Sequence, residues 1–194
     1  MPDFSIEEEI NSPVIGLDEV GRGPLAGPVI SCGCYFRNYT IQDSFYKTIG
    51  DSKKLSEKKR NLSFKFLQNL KKEGIIDYHL GIANVEEIDK LNILEATKLS
   101  MKRVVDKFNI QSAYLIIDGN FSLNHKSYKE KSIIKGDNKS LSIAAASIIA
   151  KVHRDRLMKK LSIRYQNFGW EKNVGYGTKI HIENIHRFGI TIHH

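Results

Sequence analysis

Four carboxylates fall where an apolar chain should not carry charge. Asp18 and Glu19 interrupt an apolar run just before the turn Gly21-Arg22-Gly23-Pro24, and Asp118 ends a second apolar run just before Gly119. Asp155 lies in a helical segment whose face at Ala144, Ile148, Lys151 and Met158 is otherwise apolar or built from a lysine stem. A carboxylate on or near a core face is costly unless it is paired or binds a metal. Strand ends converge in a sheet, and acids crowded there need divalent cations to stay ionised together. Oxygen-only donors favour Mg²⁺ or Mn²⁺ over zinc. Each acid alone also fits a structural ion pair with Arg22, Lys151, Arg154 or Arg156, and Asp118 fits a simple turn. Adjacent strand residues point to opposite faces. Asp18 and Glu19 therefore share a site only if the strand twists at its end, which the following glycines permit.

The glycine turn has its own chemistry. Gly21 and Gly23 lack Cβ atoms, so their backbone can approach a ligand closely, and Arg22 between them can hold a phosphate. Backbone at close range suits recognition of a 2′-hydroxyl, the group that separates RNA from DNA; an ordinary tight turn is the alternative. Other motifs fail. Gly21-x-Gly23 with Gly27 is followed by Pro24, Pro28 and a strand instead of the helix a dinucleotide loop requires. Gly136 to Ser140 has Asn138 where a phosphate loop needs glycine before lysine. His181 and His186 lack the spacing and glutamate of a zinc protease and read as solvated or capping histidines.

The elements that must position these residues follow from pattern. Val14 to Val20 and Val29 to Phe36 read as strands, and residues 37–54 as a polar loop ending in Lys53 and Lys54. Ser56 caps a helix carrying Leu62, Phe66, Leu67 and Leu70 that stops near Gly74. Ile75 to Ala83 is strand. Helical periodicity then runs from about Val85, with Leu91, Leu94, Leu99, Val104 and Val105 inward. Tyr114 to Ile117 is a short strand, and Ile133 with Ile134 another. Ser140 opens a long helix to about Tyr165, and a short helix is expected around 179–188. The class is α/β with a mixed sheet, in one domain over 1–194.

The chain has 194 residues, 41% hydrophobic and 27% charged, which suffices for a core and excludes disordered, collagen-like and disulfide-scaffold classes. A formal net charge of +8 points to a polyanionic partner. Cys32 and Cys34 share a strand face, read as reduced core residues, and fall one short of CxxC. The acidic N-terminus has no secretory character, and the run Ile143 to Ala150 is far shorter than a membrane span. A cytoplasmic monomer without membrane contact is expected.

Taken together, the segment from Leu17 to Val29, LDEVGRGPLAGPV, closely resembles the signature of type 2 ribonuclease H, the ribonuclease HII family. The resemblance continues in Asp51-Ser52-Lys53-Lys54-Leu55-Ser56, Ile117-Asp118-Gly119-Asn120, Lys135-Gly136-Asp137, Ser142 to Asp155, Gly175-Tyr176-Gly177-Thr178, His181 and His186-Arg187. It implies a ribonuclease H-like fold, a central mixed β-sheet flanked by helices with a small helical C-terminal part, residues 166–194 contacting substrate. It also implies hydrolysis of the RNA strand of RNA–DNA hybrids, and incision 5′ to single ribonucleotides embedded in duplex DNA, leaving 5′-phosphate and 3′-hydroxyl ends. The family's four acids carry over to Asp18, Glu19, Asp118 and Asp155, with two Mn²⁺ or Mg²⁺ ions per site. Asp18 becomes the central ligand, and Asp155 the holder of the ion that carries the attacking water. Gly21, Arg22 and Gly23 resemble the reader of the 2′-hydroxyl, and Tyr176 its junction aromatic. Lys53, Lys54 and Lys151 would clamp phosphates. The type 3 relatives' N-terminal extension has no counterpart here, which favours type 2.

Two other readings remain: another nuclease or strand-transfer enzyme on the same fold, and a non-catalytic hybrid-binding module whose acids are structural. A 2′-hydroxyl reader separates the first from the family reading; indifference to Mg²⁺ marks the second.

Overall fold

The computed structural model describes residues 1–39, 49 and 56–194. Lys53 and Lys54 lie outside the described residues, as does most of the loop expected before Ser56. A short helix α1 (Ser5–Glu8) leads into strands β1 (Val14–Val20) and β2 (Val29–Phe36), with the bounds the apolar runs between Pro13, the glycine turn and Pro28 dictate. Helix α2 (Glu57–Lys72) follows, capped by Ser56, whose side chain accepts from the Lys59 N–H. Then come β3 (Ile76–Ala83), helices α3 (Val85–Leu91) and α4 (Ile93–Val105), β4 (Tyr114–Asp118), β5 (Lys129–Ile133) and the long α5 (Leu141–Arg164), capped by Ser140. Short α6 (Trp170–Asn173) and α7 (Lys179–Phe188) close the chain.

The sheet is mixed, in the order β3-β2-β1-β4-β5. β2 runs antiparallel to β1 and β3, while β1, β4 and β5 are parallel. One face buries Cys32, Cys34, Phe36 and Ile76 against Phe64, Leu67 and Leu70 of α2 and the alanine-rich first half of α5. The other buries Ile15, Leu17, Leu115 and Ile117 against Met101, Val104 and Val105 of α4. Helix α5 is fixed at its start by the fully buried Glu7. One oxygen of its carboxylate accepts from the Ser140 hydroxyl (2.6 Å), the Ser142 hydroxyl (2.7 Å) and the Ser142 N–H (3.0 Å), placing an anion at the helix N-terminus.

Three expectations from sequence shift. The helical pattern from Val85 breaks at Asn92, which adopts φ 72° and caps α4 by accepting from the Leu94 and Glu95 N–H groups. Leu91 is consequently exposed. The strand expected at Ile133 and Ile134 instead occupies Lys129–Ile133, a charged edge strand, and Ile134 is 64% exposed. Leu62 of α2 likewise faces outward.

Candidate active site

The site forms where the parallel strands β1 and β4 end side by side. Leu17 pairs with Ile117 in register, so Asp18 and Asp118 follow as neighbours. Leu17 and Ile117 both point into the core beneath α4. Alternation therefore turns Asp18 and Asp118 together to the α5 face. Asp18 is only 3% exposed, and its Oδ1 accepts from the Glu19 N–H at 2.7 Å. Asp118 Oδ1 accepts from the Gly136 N–H, also at 2.7 Å. The residue after that amide, Asp137, is 2% exposed. A buried acid beside Asp118 is thus part of the neighbourhood, and the motif Lys135-Gly136-Asp137 was its signal in the sequence.

Glu19 opens onto a cleft of about 340 Å³ lined by the glycine turn, Arg60, Ser147, Lys151 and Tyr176. It pairs there with Arg22 at 3.2 Å. Gly21 has φ +110°, and a Cβ on it would stand 2.5 Å from the Pro28 carbonyl oxygen and 2.7 Å from Arg154 Nε, so only glycine fits. Tyr176 is 43% exposed, and a Cβ on Gly23 would sit 3.4 Å from its Cε1. The turn and the tyrosine, separated by more than 150 residues of chain, thus meet in one cleft. Arg22 extends over the Phe121 ring at 5.7 Å.

Asp155 is placed elsewhere. Gly16 packs against Ser142 and Gly21 against Arg154, so Asp18 faces α5 near residues 146–147. Asp155 lies further along the same helix, next to Arg154. Its carboxylate is held by Lys151 at 2.7 Å and approached by Arg60 at 3.9 Å, beside a separate small depression with Glu57, Asn61 and Lys159. The apolar helix face that suggested a buried acid is real, but Asp155 meets that expectation with a lysine one turn back. Lys151 and Arg60, the two cations beside Asp155, both line the main cleft and so link the two places.

Two residues carry more than the sequence suggested. Arg154, read as an ion-pair partner for the acids, is fully buried and instead donates to three carbonyl oxygens: Pro28 (3.0 Å), Ala26 (2.8 Å) and Val174 (2.8 Å). Burial pulls its pKa below the usual guanidinium value, with Tyr176 and Asp155 opposing. His181 is also fully buried, neither solvated nor free: it lies 2.9 Å from the Tyr176 carbonyl oxygen through Nδ1 and accepts from Trp170 Nε1 at 3.1 Å. Nothing in the spacing of these two residues marked them as internal.

Among the described residues no three Asp, Glu, His or Cys side chains stand close enough to form a ready-made metal cage. The donor chemistry nevertheless fits a hard divalent cation. Asp18 and Glu19 at the end of β1, Asp118 at the end of β4 and Asp137 in the turn after β5 supply carboxylate oxygen only. Asp18 accepts from the Glu19 N–H, Asp118 from the Gly136 N–H and Asp137 from the Asn138 side-chain amide, and Glu19 pairs with Arg22.

A family model described as Ribonuclease HII matches residues 15–193. Ribonuclease HII of Wolbachia pipientis subsp. Culex pipiens (strain wPip) is 49% identical over 193 residues, covering 100% of this chain and 93% of its own. Among solved structures, ribonuclease HII in its PCNA complex from Archaeoglobus fulgidus superposes with a TM-score of 0.74 at 24% identity, over 93% of this chain and 92% of that one. Bst-RNase HIII in complex with Mn²⁺ superposes with a TM-score of 0.62 at 19% identity, over 97% of this chain and 67% of that one. The mixed sheet, the acids at the ends of β1 and β4 and these matches lead to one conclusion: the chain belongs to the ribonuclease HII family, endonucleases of the ribonuclease H type.

Proposed function

We propose that the protein hydrolyses the RNA strand of RNA–DNA hybrids and incises on the 5′ side of single ribonucleotides in duplex DNA, leaving 5′-phosphate and 3′-hydroxyl ends. The observation that carries this reading is the meeting of the glycine turn and Tyr176 in one cleft, against the strand end that bears Asp18, Glu19 and Asp118. An enzyme acting on DNA alone has no 2′-hydroxyl for such a turn to read.

In this reading Asp18, Glu19 and Asp118 hold Mg²⁺ or Mn²⁺, and Asp137 takes the fourth place that the sequence assigned to Asp155. Asp137 is favoured because it is buried one residue from an amide bonded to Asp118, whereas Asp155 is paired with Lys151, one helical turn before it, at 2.7 Å. Two such ions would supply an activated water and stabilise the leaving 3′-oxygen. The chain does the rest. The backbone of Gly21, Arg22 and Gly23 approaches the ribose, the Tyr176 ring stacks on the neighbouring sugar, and Arg22 and Lys151 attract the phosphates. Asp155 then orients Lys151 toward the cleft. Lys53 and Lys54 are proposed to grip the flanking backbone, and the partner is duplex nucleic acid bound by a monomer.

The test is a labelled DNA duplex with one internal ribonucleotide, incubated with Mg²⁺, Mn²⁺ or a chelator, beside an all-DNA control. The expected result is one metal-dependent cut, 5′ to the ribonucleotide. Cutting of the all-DNA control would favour a different nuclease on this fold, and binding without cutting in any metal a non-catalytic module.

A further inference from the structure

We infer that Arg154 is a positioning residue that sets the enzyme's selectivity for an isolated ribonucleotide by locking the glycine turn to the Tyr176 loop; this rests on the function proposed above. The guanidinium is wholly buried and makes no carboxylate ion pair among the described residues. Its three hydrogen bonds instead go to carbonyl oxygens of two loops far apart in sequence: Ala26 and Pro28 on one, Val174 on the other. Gly21 packs directly on it. One rigid fork therefore touches the glycine turn at Gly21 and the two loops, at Ala26 with Pro28 and at Val174, that adjoin the turn and Tyr176.

The loops are also tied to each other. The Gly175 carbonyl accepts from the Leu25 N–H at 2.9 Å and the Ala26 N–H at 3.3 Å. Asn173 Oδ1 accepts from the Gly175 N–H at 2.9 Å. Val174 holds φ 44°, a left-handed conformation that a β-branched residue keeps only where its surroundings enforce it. The Arg154 bond to its carbonyl is such an enforcement, and the next residues carry Tyr176 to the cleft. Arginine's planar fork can bridge three carbonyls at once; a lysine ammonium has the charge without that geometry.

The consequence is selective. A uniform hybrid presents a 2′-hydroxyl in every register, so a loosened pair of loops still finds one. A single embedded ribonucleotide offers one hydroxyl and a deoxyribose junction, which the turn and Tyr176 must read at a fixed separation. A misplacement of about 1 Å between such groups costs on the order of 100-fold.

The test compares wild type, Arg154→Lys, Tyr176→Ala and the double variant on a single-ribonucleotide duplex and on a uniform RNA–DNA hybrid, both with Mg²⁺. Arg154→Lys is expected to keep its circular dichroism spectrum. Its ratio of kcat/KM on the single-ribonucleotide duplex to that on the hybrid should fall roughly tenfold or more. Because Arg154 acts through the tyrosine loop, adding Tyr176→Ala should lower that ratio little further. Parallel losses on both substrates, or fully additive losses in the double variant, would reduce Arg154 to a structural role and overturn the inference. A wild type that cuts neither substrate would instead overturn the functional reading itself. Should Arg154→Lys fail to fold, Asn173→Ala, which releases the Gly175 N–H from the opposite side, carries the same expectation for the ratio.

Discussion

At the scale of the residue, Asp18 and Asp137 are carboxylates buried almost completely beside the ends of β1 and β4. Asp18 is only 3% exposed and its Oδ1 accepts from the Glu19 N–H, and burying a carboxylate costs free energy that such contacts return only in part. Asp18→Asn should therefore lower hydrolysis on the order of 1,000-fold while leaving the melting temperature unchanged or raised, measured by single-turnover cleavage and thermal unfolding of one preparation. A variant that lost activity only because it unfolded would show the opposite thermal shift. The placement of Asp18, Glu19 and Asp118 at strand ends was legible because each breaks an apolar run at a glycine. The fourth was not. Asp155 drew attention by sitting on an apolar helix face, but helical periodicity does not reveal that Lys151 reaches it. Asp137 lies in a polar stretch that was marked only by the motif Lys135-Gly136-Asp137, and its burial beside Asp118 shows only in the fold.

At the scale of the element, strands β1 and β2 were readable because they are continuous apolar runs bounded by Gly and Pro, the pattern of strands covered on both faces. β5 escaped because an edge strand rich in lysine reads as loop. The kink between α3 and α4 escaped because only its geometry shows that Asn92 acts as a cap. The C-terminal elements make a pH-sensitive clasp. The Thr191 N–H donates to His194 Nδ1 at 2.9 Å, leaving His194 Nε2 to donate to His181 Nε2 at 3.0 Å; His181 Nδ1–H then donates to the Tyr176 carbonyl. Burial first, then the neighbouring His181 and His193, push the His194 pKa below its ordinary 6.5. A lowered folded-state value means the unfolded chain binds the proton more tightly, so this stabilisation is present above pH 6.5 and lost as pH falls through the lower folded value. The melting temperature should fall as pH drops from 7.5 to 5, and less steeply in His194→Gln; His193, lowered by burial and Arg164, contributes in the same direction.

At the scale of the molecule, a formal net charge of +8 and a cleft rimmed by Arg22, Arg60 and Lys151 suit a polyanion. Binding should weaken steeply with salt, and Lys151→Gln should reduce the slope of log affinity against log salt by about 1, read by fluorescence anisotropy with a non-cleaved duplex. An unchanged slope would remove Lys151 from the phosphate contacts. The order of blocks along the chain made the family legible before any coordinate. The pairing of the glycine turn with Tyr176 through Arg154 needed the fold, because it joins residues far apart in sequence.

The central claim is that the carboxylates at the ends of β1 and β4 are the metal site. Titrating Mn²⁺ into wild type, Asp18→Asn, Asp137→Asn and Asp155→Asn, and following the free-ion signal by electron paramagnetic resonance, tests it directly. Binding should be lost in Asp18→Asn, weakened in Asp137→Asn and kept in Asp155→Asn. Loss of binding in Asp155→Asn with retention in Asp137→Asn would contradict the account and return the fourth ligand to helix α5.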